Sequence, residues 1–241
     1  MRHQPKSVCV YEGISPVTGQ AIVVILTNIV TWSENPKTGG DLVQAWILLR
    51  DIAPHKAVST GDNKAVCGDC PLRPTKNGKN MCYVTTHFAP LSIWRSYKSG
   101  NIPFVSPKDF VNPYGRGIRQ GAYGDPAMAP YEVWAELEKT TKHIGTSYTH
   151  QWQEEFFDPR MNEFAMASVE TTEQKHRANA KGMRTYRILD DISLLEADEI
   201  QCPHETKGVQ CTDCGLCSGS RKGAKSIAIV PLKSAITKNR S

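Results

Sequence analysis

The chain's apolar positions fall into short runs that predict an alternation of strands and helices. Residues 21–27 (AIVVILT) and 43–49 (VQAWILL) are β-branched, apolar runs with the length of buried strands, and SENPKTGGD between them reads as a loop. Residues 89–98 place Leu91, Ile93, Trp94 and Tyr97 at near-helical spacing and run into Gly100, which predicts a helix with a glycine stop. Downstream the alternation is regular: a strand near 117–122, a helix from Pro130 to about Lys142 with Val133, Trp134 and Leu137 on one face, and a short strand at 145–149. A helical or loop segment from Gln151 to Phe157 precedes a buried strand at 164–170. Thr172 is then expected to cap a helix that Gly182 closes before a strand at 183–189, and the run at 226–232 adds a last strand. Units of this kind predict an α/β fold with a mostly parallel sheet, and a partial or complete (β/α) barrel fits them better than a sandwich.

At 241 residues the chain can bury one substantial core. The expected organisation is a barrel-like catalytic domain over 1–200 and a cysteine-rich, metal-binding extension with a basic tail over 201–241. No apolar run approaches the roughly 18 residues of a membrane span, and the basic start MRHQPKSVCVYEG lacks the apolar centre of a secretory signal, so a soluble cytoplasmic protein with no membrane partner is expected. The net charge is +5, and Arg221, Lys222, Lys225, Lys233, Lys238 and Arg240 concentrate the excess near the end. A solvated surface is the simpler reading of that tail, with weak nucleic-acid contact as its functional reading.

The eight cysteines change the picture most, because a reducing cytoplasm disfavours structural disulfides and leaves metal as the reason for clustered thiols. Cys67, Cys70 and Cys82 form a three-thiol group, which leaves one position open on a catalytic metal or cluster; a zinc loop completed by His87 fits the spacing equally. Cys202, Cys211, Cys214 and Cys217 form a four-thiol group that suits an auxiliary iron-sulfur cluster or a structural zinc, with His204 a less favoured substitute ligand. Cys9 remains as a core residue. Trp94, Trp134 and Trp152 read as core, Lys37-Thr38-Gly39 as a plain turn, and His143, His150 and His176 as separate surface histidines, although His150 closes a predicted strand.

Several features, in order, resemble the radical S-adenosylmethionine (SAM) superfamily. Tyr83 follows the last cysteine of the first group; Gly121-Ala122-Tyr123-Gly124-Asp125-Pro126 resembles the Gly-Gly-Glu-Pro-like motif on the second strand; Ala167-Ser168-Val169-Glu170 with Glu173 and His176 resembles a later strand end and helix. The family's usual cysteine spacing is C-x3-C-x2-C, whereas this chain has C-x2-C-x11-C. The string Asn35-Pro36-Lys37-Thr38-Gly39 and Tyr148-Thr149-His150 also resemble a group of uncharacterised phage proteins, which implies host cytoplasm as the location. The resemblance implies a 4Fe-4S cluster on Cys67, Cys70 and Cys82, SAM held by Gly121, Gly124, Asp125 and Ser168, catalytic roles for Asp125 and Glu170, and a small-molecule or nucleic-acid substrate undergoing nucleotide or nucleic-acid modification.

Two other classes fit the same residues. A base-exchange enzyme resembling the tRNA-guanine transglycosylases would use Asp125 and Glu170 as nucleophile and general base and keep zinc as a structural ion. A non-enzymatic zinc module binding nucleic acid or a protein would need no convergent acids.

Overall fold

The computed structural model describes residues 5–32, 41–75, 81–219, 221 and 223–230. The string Asn35 to Gly39 and the tail beyond 230 lie outside the described residues. The strands are β1 (Val8–Ile14), β2 (Ala21–Thr27), β3 (Val43–Leu49), β4 (Ile118–Tyr123), β5 (Thr146–Thr149), β6 (Met166–Val169), β7 (Thr185–Ile188), β8 (Glu199–Gln201) and β9 (Ser226–Ile229). They form one mixed sheet in the order β1-β2-β3-β4-β5-β6-β7-β9-β8. The pairs β1–β2 and β2–β3 are antiparallel, and every pair from β3 onward is parallel.

Among the described residues β1 and β8 remain edges, so the sheet is open and a complete barrel is not formed. The reason lies at β3. Closure would need its outer edge for the last parallel strand, and β2 already occupies that edge in six paired positions. β9 lies between β7 and β8, so the cysteine-rich stretch is bracketed by strands of the main sheet.

From β3 to β7 the strands follow one another in space, and right-handed crossovers then put their connecting helices on one face. The register bears this out. Gln120 pairs with Ser147 and Thr149 with Ala167, so these residues share a face. On that face Gln120 Nε2 donates to Glu138 of α4 (Tyr131–Glu138) over 2.8 Å, and Ala167 and Val169 pack on Ala178 of α5 (Thr172–Ala180). Arg119, Tyr148, Met166, Ser168, Tyr186 and Ile227 take the opposite face. The segment carrying Cys202, Leu216 and Cys217 packs there against Met166 and Ile227.

The main core surrounds β2 and β3. Ile22 to Leu26 are each fully buried, as a strand covered on both faces requires, and each such aliphatic side chain contributes roughly 1.5–3 kcal/mol by leaving water. Cys9 lies in this core, where burial raises its thiol pKa to about 12. Trp134 and Trp152 are core residues, and Trp94 packs half-buried against the core. The cap of α5 is Thr171, one residue before the expected Thr172: its side chain accepts from Gln174 N while the Gln174 side chain accepts from the backbone of Thr171. This reciprocal cap saturates two amide groups that helix geometry leaves free.

Candidate functional site

The parallel strands deliver their carboxyl ends to one region. β4 contains Gly121 and runs into Gly124, both left-handed at φ 80° and 83°. A Cβ on Gly124 would stand 2.7 Å from Ile47 Cβ and 2.8 Å from the Ile47 carbonyl oxygen, so glycine lets this turn close onto β3. Asp125 follows. Its amide donates to Val66 O at 2.7 Å, while its carboxylate accepts from Ala127 N (3.0 Å), Thr149 Oγ1 (2.7 Å) and His150 N (2.9 Å). Burial pushes the Asp125 pKa up, and these hydrogen bonds offset only part of that shift.

His150, just past β5, places Nε2 2.8 Å from Glu170 Oε1 at the end of β6. Asp125 and Glu170 are therefore joined through one residue, with the backbone of His150 on the first acid and its ring on the second. Burial opposes the imidazolium, but Cys70 and Glu170 outweigh it and raise the His150 pKa to about 10.

The first cysteine group borders this cluster. Cys67 ends α2 (Lys64–Cys67), and Gln151 clamps the loop after it: its Nε2 donates to Cys67 O at 3.1 Å and its Oε1 accepts from Asp69 N at 3.3 Å. Gly68 is left-handed at φ 55°, which favours glycine, and a Cβ there would also lie 2.1 Å from Gln151 Oε1 and displace the clamp. Burial raises the Cys67 pKa well above normal, and Cys70, Cys82 and Asp125 add to the shift. Cys82 is raised by burial and by Cys70. These thiols are thus neighbours despite the insertion, of which 76–80 lie outside the described residues. His87, the alternative zinc ligand, is exposed, and its ring lies 5.2 Å from that of His55.

The second group occupies the connection from β8 to β9. Cys202 precedes α6 (Pro203–Lys207), Cys211 and Cys214 begin and end α7 (Cys211–Cys214), and the Cys217 carbonyl accepts from Ser147 N of β5 at 3.1 Å. Burial and the three companion thiols raise the Cys217 pKa to about 12, against a hydrogen bond from Tyr148. His204 turns Nδ1 toward Val209 O at 3.1 Å. Among the described residues, no set of three or more His, Cys, Asp or Glu side chains is arranged to hold a metal ion as it stands. Both groups do bring thiols together where burial and mutual repulsion oppose ionisation, and a cation bound to them would reverse both effects.

Between the groups lies an aromatic bridge. Tyr83, next to Cys82, accepts a 2.5 Å hydrogen bond from Arg119 Nη2, and the Tyr148 and Tyr186 rings lie 4.5 Å apart beside Cys217. Ser168 shares their face, and its carbonyl accepts from Trp152 Nε1 at 3.0 Å. Thus Asp125, Glu170, Cys67, Cys70 and Cys82 gather at the strand ends, while Ser168 belongs to the face shared with the second group. Thr149, Gln151 and Arg119 carry much of this geometry, and no spacing in the sequence singles them out. A scan against protein-family models found no match to this chain, and searches of curated proteins and of solved structures found none either.

Proposed function

We propose that the chain is a metalloenzyme of radical SAM type, with a 4Fe-4S cluster on Cys67, Cys70 and Cys82, an auxiliary cluster on Cys202, Cys211, Cys214 and Cys217, and a partial-barrel reaction face that acts on a nucleotide or nucleic-acid substrate. The observation that carries this reading is the convergence of Cys67, Cys70 and Cys82 with Asp125, His150 and Glu170 at the carboxyl ends of parallel strands, where α/β proteins assemble their sites. When bound, such a cluster supplies an open iron for the amino and carboxylate groups of SAM and an electron for cleaving its sulfonium.

The chain's own residues have distinct tasks. Gln151 holds the Cys67 loop, and Asp125 fixes the turn after β5 so that His150 faces Glu170. Asp125 acts in this scheme as a positioning residue, because its oxygens already accept from Ala127, Thr149 and His150. The same occupancy disfavours the transglycosylase reading, which needs a free carboxylate nucleophile there. Glu170 and His150, half-buried and hydrogen-bonded to each other, are the proton-carrying pair of this cluster.

Anaerobic purification followed by visible absorption and iron, sulfide and zinc analysis tests the reading. A brown protein that yields 5′-deoxyadenosine from SAM on reduction, and loses this activity in Cys67→Ser, is expected. Stoichiometric zinc without sulfide in anaerobically reconstituted protein would overturn it.

A further inference from the structure

Among the described residues, the cations withdrawn from solvent are held by partners of different kinds. Arg187 Nε donates to Glu199 at 2.8 Å, Lys175 lies between Glu196 and Asp198, and Arg184 donates to the carbonyls of Leu216, Ser218, Ala224 and Lys225; Arg116 donates through Nη1 to those of Asn28 and Thr31 and lies over the Trp32 ring, its Nε and Nη2 buried without a hydrogen-bond partner among those residues. Arg119 differs from these in that it donates to an exposed aromatic side chain. It is half-buried on the sheet face opposite the helices, and among the described residues no carboxylate forms an ion pair with it. Its hydrogen-bond acceptor there is the hydroxyl of Tyr83. A guanidinium carries five donors in a planar fork suited to carboxylate or phosphate, so this one keeps most of its capacity for a group from outside.

Tyr83 adds a second feature. Its hydroxyl is tied to Arg119, yet the residue is 77% exposed, which leaves a pinned aromatic ring facing solvent beside the cation. Exposed aromatic rings next to arginine recognise nucleotides through stacking on the base and hydrogen bonds to the phosphate. The pair also stands between the two cysteine groups, since Tyr83 adjoins Cys82 and Arg119 lies near enough to Cys211 for their charges to interact.

We infer that Arg119 and Tyr83 form a nucleotide anchor between the two cysteine groups, at the exposed Tyr83 ring, with Arg119 taking a phosphate and the Tyr83 ring stacking on the base. This deepens the proposed nucleotide or nucleic-acid chemistry and rests on that reading for the identity of the site, but binding can be measured without turnover.

The test is calorimetry on the anaerobically purified full-length protein with the four nucleoside monophosphates, the matching nucleosides and inorganic phosphate as probes. At least one monophosphate should bind about tenfold or more tightly than its nucleoside, the gain expected of charge-assisted hydrogen bonds to one phosphate, and more tightly than inorganic phosphate. Arg119→Gln should erase the advantage over the nucleoside, Arg119→Lys should keep part of it, and Tyr83→Ala should erase the advantage over phosphate, all with unchanged metal content. Equal affinities for nucleotide and nucleoside in the wild-type protein, or no binding of either, would overturn the anchor whatever the variants do. Loss of metal from the second group in Arg119→Gln, with nucleotide affinity per folded protein unchanged, would assign Arg119 to that group's charge and overturn it as well. Nucleotide binding by a protein with zinc and no sulfide would leave the anchor standing while the radical SAM reading fell.

Discussion

Replacing Asp125 with alanine should damage stability more than a site acid on a surface would. The substitution strips acceptors from Ala127 N, His150 N and Thr149 Oγ1 at a residue only 6% exposed. The two amides are held by the backbone and cannot turn to another acceptor, whereas the Thr149 hydroxyl can rotate. At roughly 1–3 kcal/mol for each buried donor left unsatisfied, and allowing for relief of the buried charge, the net loss is about 3 kcal/mol. For a chain of this size that corresponds to a drop of roughly 6–12 °C in Tm. The pH dependence has a defined sign. Because the folded-state pKa of Asp125 is raised above the ordinary 3.8, the group's ionisation contribution is most favourable below pH 3.8 and is lost as pH rises through the folded value. The gap between wild type and Asp125→Ala should therefore narrow over that window and stay constant above it. Thermal denaturation followed by circular dichroism, on samples matched for metal content, measures both effects. A Tm for Asp125→Ala within 2 °C or so of wild type would refute the assignment of Asp125 as the hub of the strand-end turn.

Other substitutions probe neighbouring parts of the same argument. Gly124→Ala should cost several kcal/mol, since it adds left-handed strain of about 1–2 kcal/mol to a contact with the Ile47 backbone; a denaturant midpoint equal to wild type would show that the turn can relax. Lys175 holds the Glu196 carboxyl below its ordinary 4.5, so wild-type stability should be retained above that pH and fall as pH drops through the lower folded value. Lys175→Met should lose this acid-side dependence, which denaturant titrations between pH 3 and 6 or so would reveal. Cys214→Ser should lower metal content by about one site and destabilise the β8–β9 connection; full metal content with an unchanged melting transition would sink the second metal site.

The parts of the fold that local pattern controls were the parts readable from sequence. β2 and β3 occupy the expected ranges, and α3 (Ala89–Lys98) coincides with the expected helix, because a run of apolar residues or a periodic face encodes each one locally. β1 was not anticipated: its burial alternates only in its second half, and a bulge between Cys9 and Tyr11 breaks the period. β8 has three residues, too few for a pattern to register, and exists because β9 lies beside it. The strand-end positions of Asp125 and Glu170 were legible because a strand's end can be read from its own sequence. Their connection through His150 depends on β5 lying between β4 and β6, which is a property of strand order. Arg119 was invisible for the same reason, since its environment is set by pairing with Thr146 and by the segments that cover that face.

An open sheet leaves two rows of unpaired backbone groups, and each invites a foreign strand. Among the described residues neither row offers a long, flat template. At one margin the first half of β1 is already engaged by the segment around Phe104: Cys9 N donates to Pro103 O, Val105 N donates to Cys9 O, and the bulge twists the second half of the strand. At the other margin β8 presents three residues and then turns into α6. The molecule therefore keeps its margins from seeding edge-to-edge aggregation by irregularity and brevity, without the cylindrical closure that would abolish them.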